Sequence, residues 1–396
     1  MSPVRIVAHG VDTWLINIKG DLLAAVDEEL DRLKEASQEA EEDIPTRWAF
    51  DRQTLFIKAH GSGRQWRWIL HCPSLHLDVG RGKLNHIIGK ARLASVCLWE
   101  YGAGMALAKL YAFLVSFYGD ASFTLQVSEP HLCADLAGWD ITFADAEQFV
   151  SRSRVRAARL VHPADDSLDA PLEHGEVAEG YDTPSVIVRS NGRACTGFVF
   201  SPTAPHSCTI YDKTRELVHS RKDWMRSIWE RNGWDGHSRV IRVEFRYERE
   251  CLREMGIEDP FDFLDRVAGM WAYSTRDWLR HTLTSSDTNQ GRWPVSAIWQ
   301  VVQQAIYLDD GEPVVRERMT RGELRLVCQM IAGCSTKAAA LLVSTLPPRA
   351  NAADFLTWLY DWMEGYYQEK GVTFEALRDW KRLQLGVVVA GGEPAA

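Results

Sequence analysis

The chain has 396 residues, a formal net charge of −9, 46% hydrophobic and 25% charged residues. That is enough length for two or three domains and enough apolar side chain for a buried core, and it excludes an extended disordered chain. The acidic balance argues against nucleic-acid binding over the whole surface, and 16 tryptophans require a core that buries indole, with a few left to stack on bases.

In chain order, the start, MSPVRIVAHGVDTW, has neither the charged leader nor the apolar run of a signal peptide. Val11 to Ile18 read as a strand. Asp21 to Glu42 then set Leu22, Val26, Leu30 and Leu33 at helical spacing among acids, a solvated cover ending at Pro45. Thr54 to His60, Gln65 to Val79 and Ser95 to Trp99 read as antiparallel strands. Tyr101 to Tyr118 has the length of a membrane span, but Lys109 at its middle makes it a core helix. Phe123 to Val127 and His131 to Thr142 read as two strands joined by a turn at Glu129 and Pro130, and Asp165 to Thr183 as a loop or flap.

Thr196 to Phe200 and Cys208 to Lys213 form a hairpin around SPTAPH, followed by a helix from Arg215 to Arg231 and a long strand from Val240 to Glu248. Beyond Cys251 the periodicity is helical. The expected fold is therefore α+β: a large curved antiparallel sheet with covering helices over residues 1–253, then a helical C-terminal domain over 254–396. The eight cysteines, at 72, 97, 133, 195, 208, 251, 328 and 334, include no C-x-x-C pair. They read as buried thiols of a reducing, cytoplasmic compartment.

Charge is distributed unevenly. From Arg189 to Arg253 there are 13 Lys and Arg against 8 Asp and Glu, a basic segment in an acidic chain, as expected where one groove meets phosphates. Alternation along Val240 to Glu248 puts Ile241, Val243, Phe245 and Tyr247 on one face and Arg242, Glu244, Arg246 and Glu248 on the other. The same rule groups Thr209, Tyr211 and Lys213. Asp135 sits inside the apolar strand HLCADLAGWDIT and needs a partner if buried. Asp140, at an odd offset, reaches the same site only if Gly138 marks a bulge or bend. His71 and His76, five apart, are expected on opposite strand faces and are read as structural. Arg242 to Glu248 could equally form the charge ladder of any solvated sheet face.

The run CTGFVFSPTAPHSCTIYDKTREL, followed by RVEFRYERE and preceded by the strand carrying Asp135, resembles the replication initiation factor family: Rep_trans-type rolling-circle plasmid initiators and related relaxases of integrative conjugative elements. The resemblance spans roughly residues 10–253. It implies a DNA nicking-joining enzyme whose nucleophile, the tyrosine of I-Y-[DN]-K, falls on Tyr211, yielding a 5′-phosphotyrosine link that initiates rolling-circle replication or conjugative transfer. It also implies a divalent metal, Mg²⁺ or Mn²⁺, on Asp135 and Glu244, with Asp140 as a further ligand. CAD stands here where the family has R-[IVL]-D, so that arginine is absent and the spacing to Asp140 is looser. Beside the nucleophile, Lys213 would favour phenolate and neutralise the attacked phosphate. Arg242, Arg246, Arg215, Arg221 and Lys222 would grip single-stranded or extruded origin DNA. A homodimer and a host helicase are the further partners to expect, and no membrane. A non-catalytic DNA-binding or regulatory protein on the same scaffold is the alternative, and a structural interaction protein with an acidic surface lies outside DNA altogether.

Overall fold

The computed structural model describes residues 3–82, 86–119, 123–152, 158–161, 186–191, 193–305, 314, 316, 351–369, 373–376 and 378. The chain divides into two compact units, residues 1–316 and 317–396.

The first unit begins with a long strand β1 (Arg5–Gly20) and a helix α1 (Ala24–Ala40). Val26 and Leu30 of α1 are buried, and Glu41 closes the helix in the left-handed region (φ 55), so the acidic cover read from the sequence has the expected buried stripe. A run of antiparallel strands follows: β2 (Ile44–Phe50), β3 (Gln53–Ile57), β4 (Trp68–Cys72), β5 (Leu75–Val79) and β6 (Ile87–Leu93). Next comes α2 (Ser95–Tyr118), kinked at Gly102 with φ 75. Ser95 to Trp99, expected as a strand, is the first part of this helix. Its apolar residues face the core whether wound or extended, and periodicity over five residues does not separate the two. Lys109 leaves the apolar stripe to pair with Asp51 at 2.7 Å, and no helix among the described residues is long and apolar enough to cross a membrane.

β7 (Phe123–Ala137) is one strand, not two. Its pairing with β1 shifts where Leu15 meets Glu129 and Ile16 meets Val127, so the expected turn at Glu129 and Pro130 is a bulge that keeps the strand in the sheet. A short helix α3 (Asp145–Gln148) leads to β8 (Phe149–Ser151), and β9 (Ala158–Val161), β10 (Val186–Asn191), β11 (Ala194–Phe200) and β12 (His206–Asp212) follow. The flap expected over Asp165 to Thr183 lies outside the described residues. The helix expected from Arg215 to Arg231 is two, α4 (Lys213–Ser220) and α5 (Trp224–Arg231), separated at Arg221 with φ 54. β13 (Val240–Tyr247) follows.

These strands make a 12-stranded sheet in the order β2-β3-β4-β5-β6-β1-β7-β13-β12-β11-β10-β9. It is antiparallel except at its edge, where β9 runs parallel to β10. His71 and His76 are direct partners across β4 and β5. They therefore share a face, contrary to the expectation from their odd spacing, because the tight turn between them folds the strand back. Each is tied to a carboxylate, His71 to Asp43 at 2.7 Å and His76 to Asp78 at 3.1 Å.

The first unit does not end near residue 253. After α6 (Arg249–Glu254), helix α7 (Pro260–Ala272) starts at an Asp259–Asp262 capping box with Pro260 in its first turn. A π-helical turn (Tyr273–Trp278), β14 (Leu279–His281) and α8 (Ala297–Gln303) follow. These elements cover the apolar face of the sheet: Trp271 packs edge-on against Phe245 at 5.4 Å, and Phe263 lies 4.8 Å from Trp14. The helical periodicity is right, but residues 254–305 complete the sheet's core and belong to the first unit. In the second unit, α9 (Ala352–Glu369) is the long helix expected from its spacing. Six tryptophans (14, 68, 139, 229, 271 and 299) are among the largest fully buried side chains. Cys72, Cys97, Cys133, Cys195, Cys208 and Cys251 are buried free thiols, while Cys328 and Cys334 lie outside the described residues.

Candidate active site

Register fixes the site. Ala8 of β1, Asp135 of β7, Arg242 of β13, Tyr211 of β12, Gly197 of β11 and Arg189 of β10 are successive cross-strand partners. Side chains directly opposite one another share a face, so this is one row across the middle of the sheet. Two residues along, Cys133, Glu244 and Thr209 form the next row on that face. The opposite face carries Ile241, Val243, Phe245 and Tyr247, all fully buried, as alternation requires. Sequence and structure agree that Tyr211, Asp135 and Glu244 lie together on the polar face.

The Tyr211 hydroxyl donates to Glu244 Oε2 at 3.1 Å. Glu244 Oε1 is held by His131 Nδ1 at 2.8 Å, and His131 Nε2 meets Glu129 Oε1 at 3.0 Å. With a carboxylate on each ring nitrogen, His131 acts as a double donor and a cation. Burial alone would lower its pKa, but Glu129 and Glu244 outweigh burial and hold it up at about 9. Burial likewise opposes ionisation of Glu244, yet His131 keeps its carboxyl below the usual range. Burial, followed by the Glu244 charge, pushes the Tyr211 phenol well above 10. The ground state is thus a neutral phenol against an ionised acceptor.

The raised His131 pKa has a definite sign. A folded-state value of about 9 against an unfolded value near 6.5 gives stability that is fully present below about pH 6.5 and is lost as pH rises through about 9. Urea denaturation between pH 6 and 10 should show wild type weakening towards alkaline pH more than His131→Gln. Parallel curves for the two proteins would mean that His131 is not a buried cation.

Arg242 is a second built-in cation, and it is fully buried. Its Nε and Nη2 donate to Asp135 at 2.6 and 2.9 Å, and Nη1 lies 2.7 Å from Asp12. The Trp229 indole donates to Asp135 at 2.8 Å and the Trp99 indole to Asp12 at 2.9 Å. Asp12 sits at a break in register between Val11 and Thr13 of β1, and that bulge sets its carboxylate against Arg242. Burial disfavours the Asp12 charge, but Arg242 outweighs it and holds the carboxyl far below the usual range. The expectation that Arg242 grips DNA is therefore corrected: its donors serve the fold.

The other expected residues fall as follows. Asp212, between Tyr211 and Lys213, is the N-cap of α4 and accepts from Arg215 N at 3.0 Å, so the Y-D-K run is also a strand-to-helix junction. Lys213 is buried, is paired with Glu216 at 2.5 Å, and lies 5.6 Å from the Tyr211 ring centroid. It sits over the ring, with its charge offset by Glu216, and among the described residues no hydrogen bond joins it to the Tyr211 hydroxyl. Arg246 pairs with Glu248 at 3.0 Å and donates to Pro202 O. Arg215 is half-buried, Arg221 is exposed and Lys222 half-buried. Asp140 is exposed beyond the end of β7, after Gly138 at φ 86. The bend exists, but it carries Asp140 away, and among the described residues no hydrogen bond joins it to Asp135, Glu244 or Tyr211.

A divalent metal on Asp135, Glu244 and Asp140 does not fit these side chains as they stand. Both Asp135 oxygens are taken by Arg242 and Trp229, and both Glu244 oxygens by His131 and Tyr211. Among the described residues no group of three or more His, Cys, Asp or Glu is arranged to hold a metal. Millimolar Mn²⁺ should accordingly leave the melting temperature unchanged. A rise of several degrees would show that a metal displaces one of these cations.

Gly197 lies directly against the site. A Cβ there would stand 2.4 Å from Ile210 O and 3.2 Å from the Tyr211 Cα. Gly197→Ala should cost about 1–3 kcal/mol and should displace Tyr211, which a shift in the Tyr211 amide resonance would report.

Sequence reasoning missed Asp12, His131 and Glu129. Asp12 and Glu129 lie at or beside β-bulges, which alternation does not register, and His131 was an unremarked strand residue in the HLCADL run. The site defines a part-buried tyrosine–carboxylate centre, with ion-paired cations around it, on an antiparallel sheet. No family model matches the chain, and no curated protein matches it. Among solved structures it is similar to a rolling circle replication initiator protein from Geobacillus stearothermophilus, with 11% identity, 80% of this chain and 100% of that chain covered, and a TM-score of 0.38. A likeness of that size assigns no function.

Proposed function

We propose that the chain nicks and rejoins one strand of DNA, with Tyr211 as nucleophile and Glu244 as the acceptor of its proton, in rolling-circle replication or conjugative transfer. The observation that carries this reading is the hydrogen bond from Tyr211 to an ionised Glu244. The sequence resemblance around Tyr211 supplies the reaction class. The step balances without an external reactant. The phenolic proton passes to Glu244 Oε2, the phenolic oxygen bonds to phosphorus, the P–O3′ bond breaks, and the leaving 3′-oxygen takes up a proton to become a hydroxyl. The phosphate stays on Tyr211 as a 5′-phosphotyrosine, and reversal religates the strand without ATP. Desolvation and a preorganised base oppose one another at Tyr211: burial disfavours free phenolate, so proton loss must accompany attack.

A second reading has its own observation. The phenol is driven well above its usual pKa and Lys213 is tied to Glu216, which suits a DNA-binding protein that keeps the scaffold without cleavage. Incubation with supercoiled plasmid and with a random single-stranded DNA pool, with and without Mg²⁺ or Mn²⁺, separates the two. The nicking reading expects protein attached to a 5′ end, whereas binding without any covalent product selects the second.

A further inference from the structure

Three cations around Tyr211 are already committed. Arg242 is held by Asp12 and Asp135, Lys213 by Glu216, and His131 by Glu129 and Glu244. A phosphodiester arriving at Tyr211 would meet a cluster in which carboxylates outnumber cations, and would be repelled unless an uncommitted positive charge received it. Arg189 has the properties required. It belongs to the same cross-strand row, opposite Gly197, which in turn stands opposite Tyr211. The two side chains share a face and are two strands, roughly 10 Å, apart at the backbone. Between them Gly197 contributes no side chain, and the space its Cβ would take lies against Tyr211. An arginine can therefore extend over β11 towards the phenol. Arg189 is half-buried, and among the described residues its guanidinium has no hydrogen-bond or ion-pair partner. Burial lowers its pKa and the Tyr211 oxygen works against that, as two groups facing one another would do.

We propose that Arg189 is the receptor for the phosphate that Tyr211 attacks, its planar fork binding two non-bridging oxygens of a single-stranded DNA phosphodiester beside the phenolic oxygen. A guanidinium suits this better than an ammonium, because it keeps its charge when partly buried and offers parallel donors to a phosphate. The missing side chain at Gly197 becomes a requirement of the site as well as of strand packing. This rests on the nicking reading for its reaction, but the anion site can be tested without it.

The test has two arms. In the first, phenylglyoxal modifies the intact protein, and the peptide carrying Arg189 is followed by mass spectrometry, alone, with inorganic phosphate, and with a thymidine 15-mer. Arg189 should react in the free protein and be protected at least fivefold by the oligonucleotide; protection by phosphate at far higher concentration only would show that the polymer, not the free ion, is the ligand. An unreactive Arg189, or one modified equally fast with and without the oligonucleotide, overturns the proposal. In the second arm, covalent capture of a random single-stranded pool is compared among wild type, Arg189→Lys and Arg189→Met. Arg189→Met should bind the pool within about threefold of wild type yet form adduct more slowly by on the order of 100-fold, with Arg189→Lys between them. Adduct formation by Arg189→Met at the wild-type rate overturns the assignment while leaving Tyr211 chemistry intact. Conversely, protection of Arg189 without any wild-type adduct keeps the phosphate site and removes the nicking reading. Should Arg189→Met fail to fold, Arg189→Lys, which keeps the charge and loses the fork, decides alone.

Discussion

Arg242→Met is expected to destabilise the first unit by about 3–5 kcal/mol, because it removes one partner of a buried ion cluster and leaves the others uncompensated. Among the described residues, Asp12 and Asp135 would then keep the Trp99 and Trp229 indoles as hydrogen-bond donors but lose the guanidinium that pairs with both. The pH dependence distinguishes this from lost packing. In wild type the depressed Asp12 carboxyl contributes stability that is present above its unfolded pKa of about 3.9 and is lost as pH falls through the folded value. In Arg242→Met the balance at Asp12 moves the other way: burial raises its carboxyl pKa and the cation that most opposed burial is gone, so protonation stabilises the variant relative to its state at neutral pH. Urea denaturation at pH 7.5 and 5 should therefore show the gap between the two proteins narrowing at the lower pH. A gap equal at both pH values would mean that the loss is one of side-chain volume. A variant as stable as wild type at pH 7.5 would contradict the assigned cluster outright.

The second large effect is chemical. Tyr211→Phe removes one hydroxyl that donates to Glu244, so its cost in stability should be about 1 kcal/mol. His131 still satisfies the remaining Glu244 oxygen. Affinity for single-stranded DNA and its salt dependence should be unchanged, because both follow the number of phosphates neutralised and not one phenol. Covalent capture of DNA should disappear. Tyr247→Phe is the contrasting variant. Tyr247 lies on the other face, where its hydroxyl meets Ser274 at 2.6 Å and Met270 O at 3.2 Å, so it should lower stability and leave capture intact. Capture surviving in Tyr211→Phe would assign the chemistry to another group.

Much of this centre was legible in the chain because strand alternation is a strict rule. Arg242 and Glu244 opposite Val243 and Phe245, and Tyr211 opposite Ile210, could be placed on their faces from spacing alone. The need of Asp135 for a partner followed from desolvation, and the sheet supplied Arg242 directly across from it. What alternation cannot give is which strands become neighbours. Only pairing of β13 with β7 on one side and β12 on the other joins residues 76 positions apart, Asp135 and Tyr211, in one row. That pairing also turned an exposed-looking arginine into a buried one. Bulges are the second gap: the register breaks at Val11/Thr13 and Leu15/Ile16 carried Asp12 into the site and kept β7 continuous. The third is ownership of the helices after Cys251, whose apolar stripes were evident but whose partner, the Phe245 and Tyr247 face, lay in a strand already counted as complete.

The most direct measurement is to locate the covalent bond. After incubation with single-stranded DNA, nuclease trimming and trypsin, the peptide Ala194 to Lys213 contains a single tyrosine, Tyr211. This peptide should gain the mass of a 5′-linked nucleotide, and fragmentation should assign the added mass to Tyr211. Nucleotide found instead on another peptide, such as the one bearing Tyr366 and Tyr367, would contradict it, as would a protein that binds the DNA and carries no nucleotide at all.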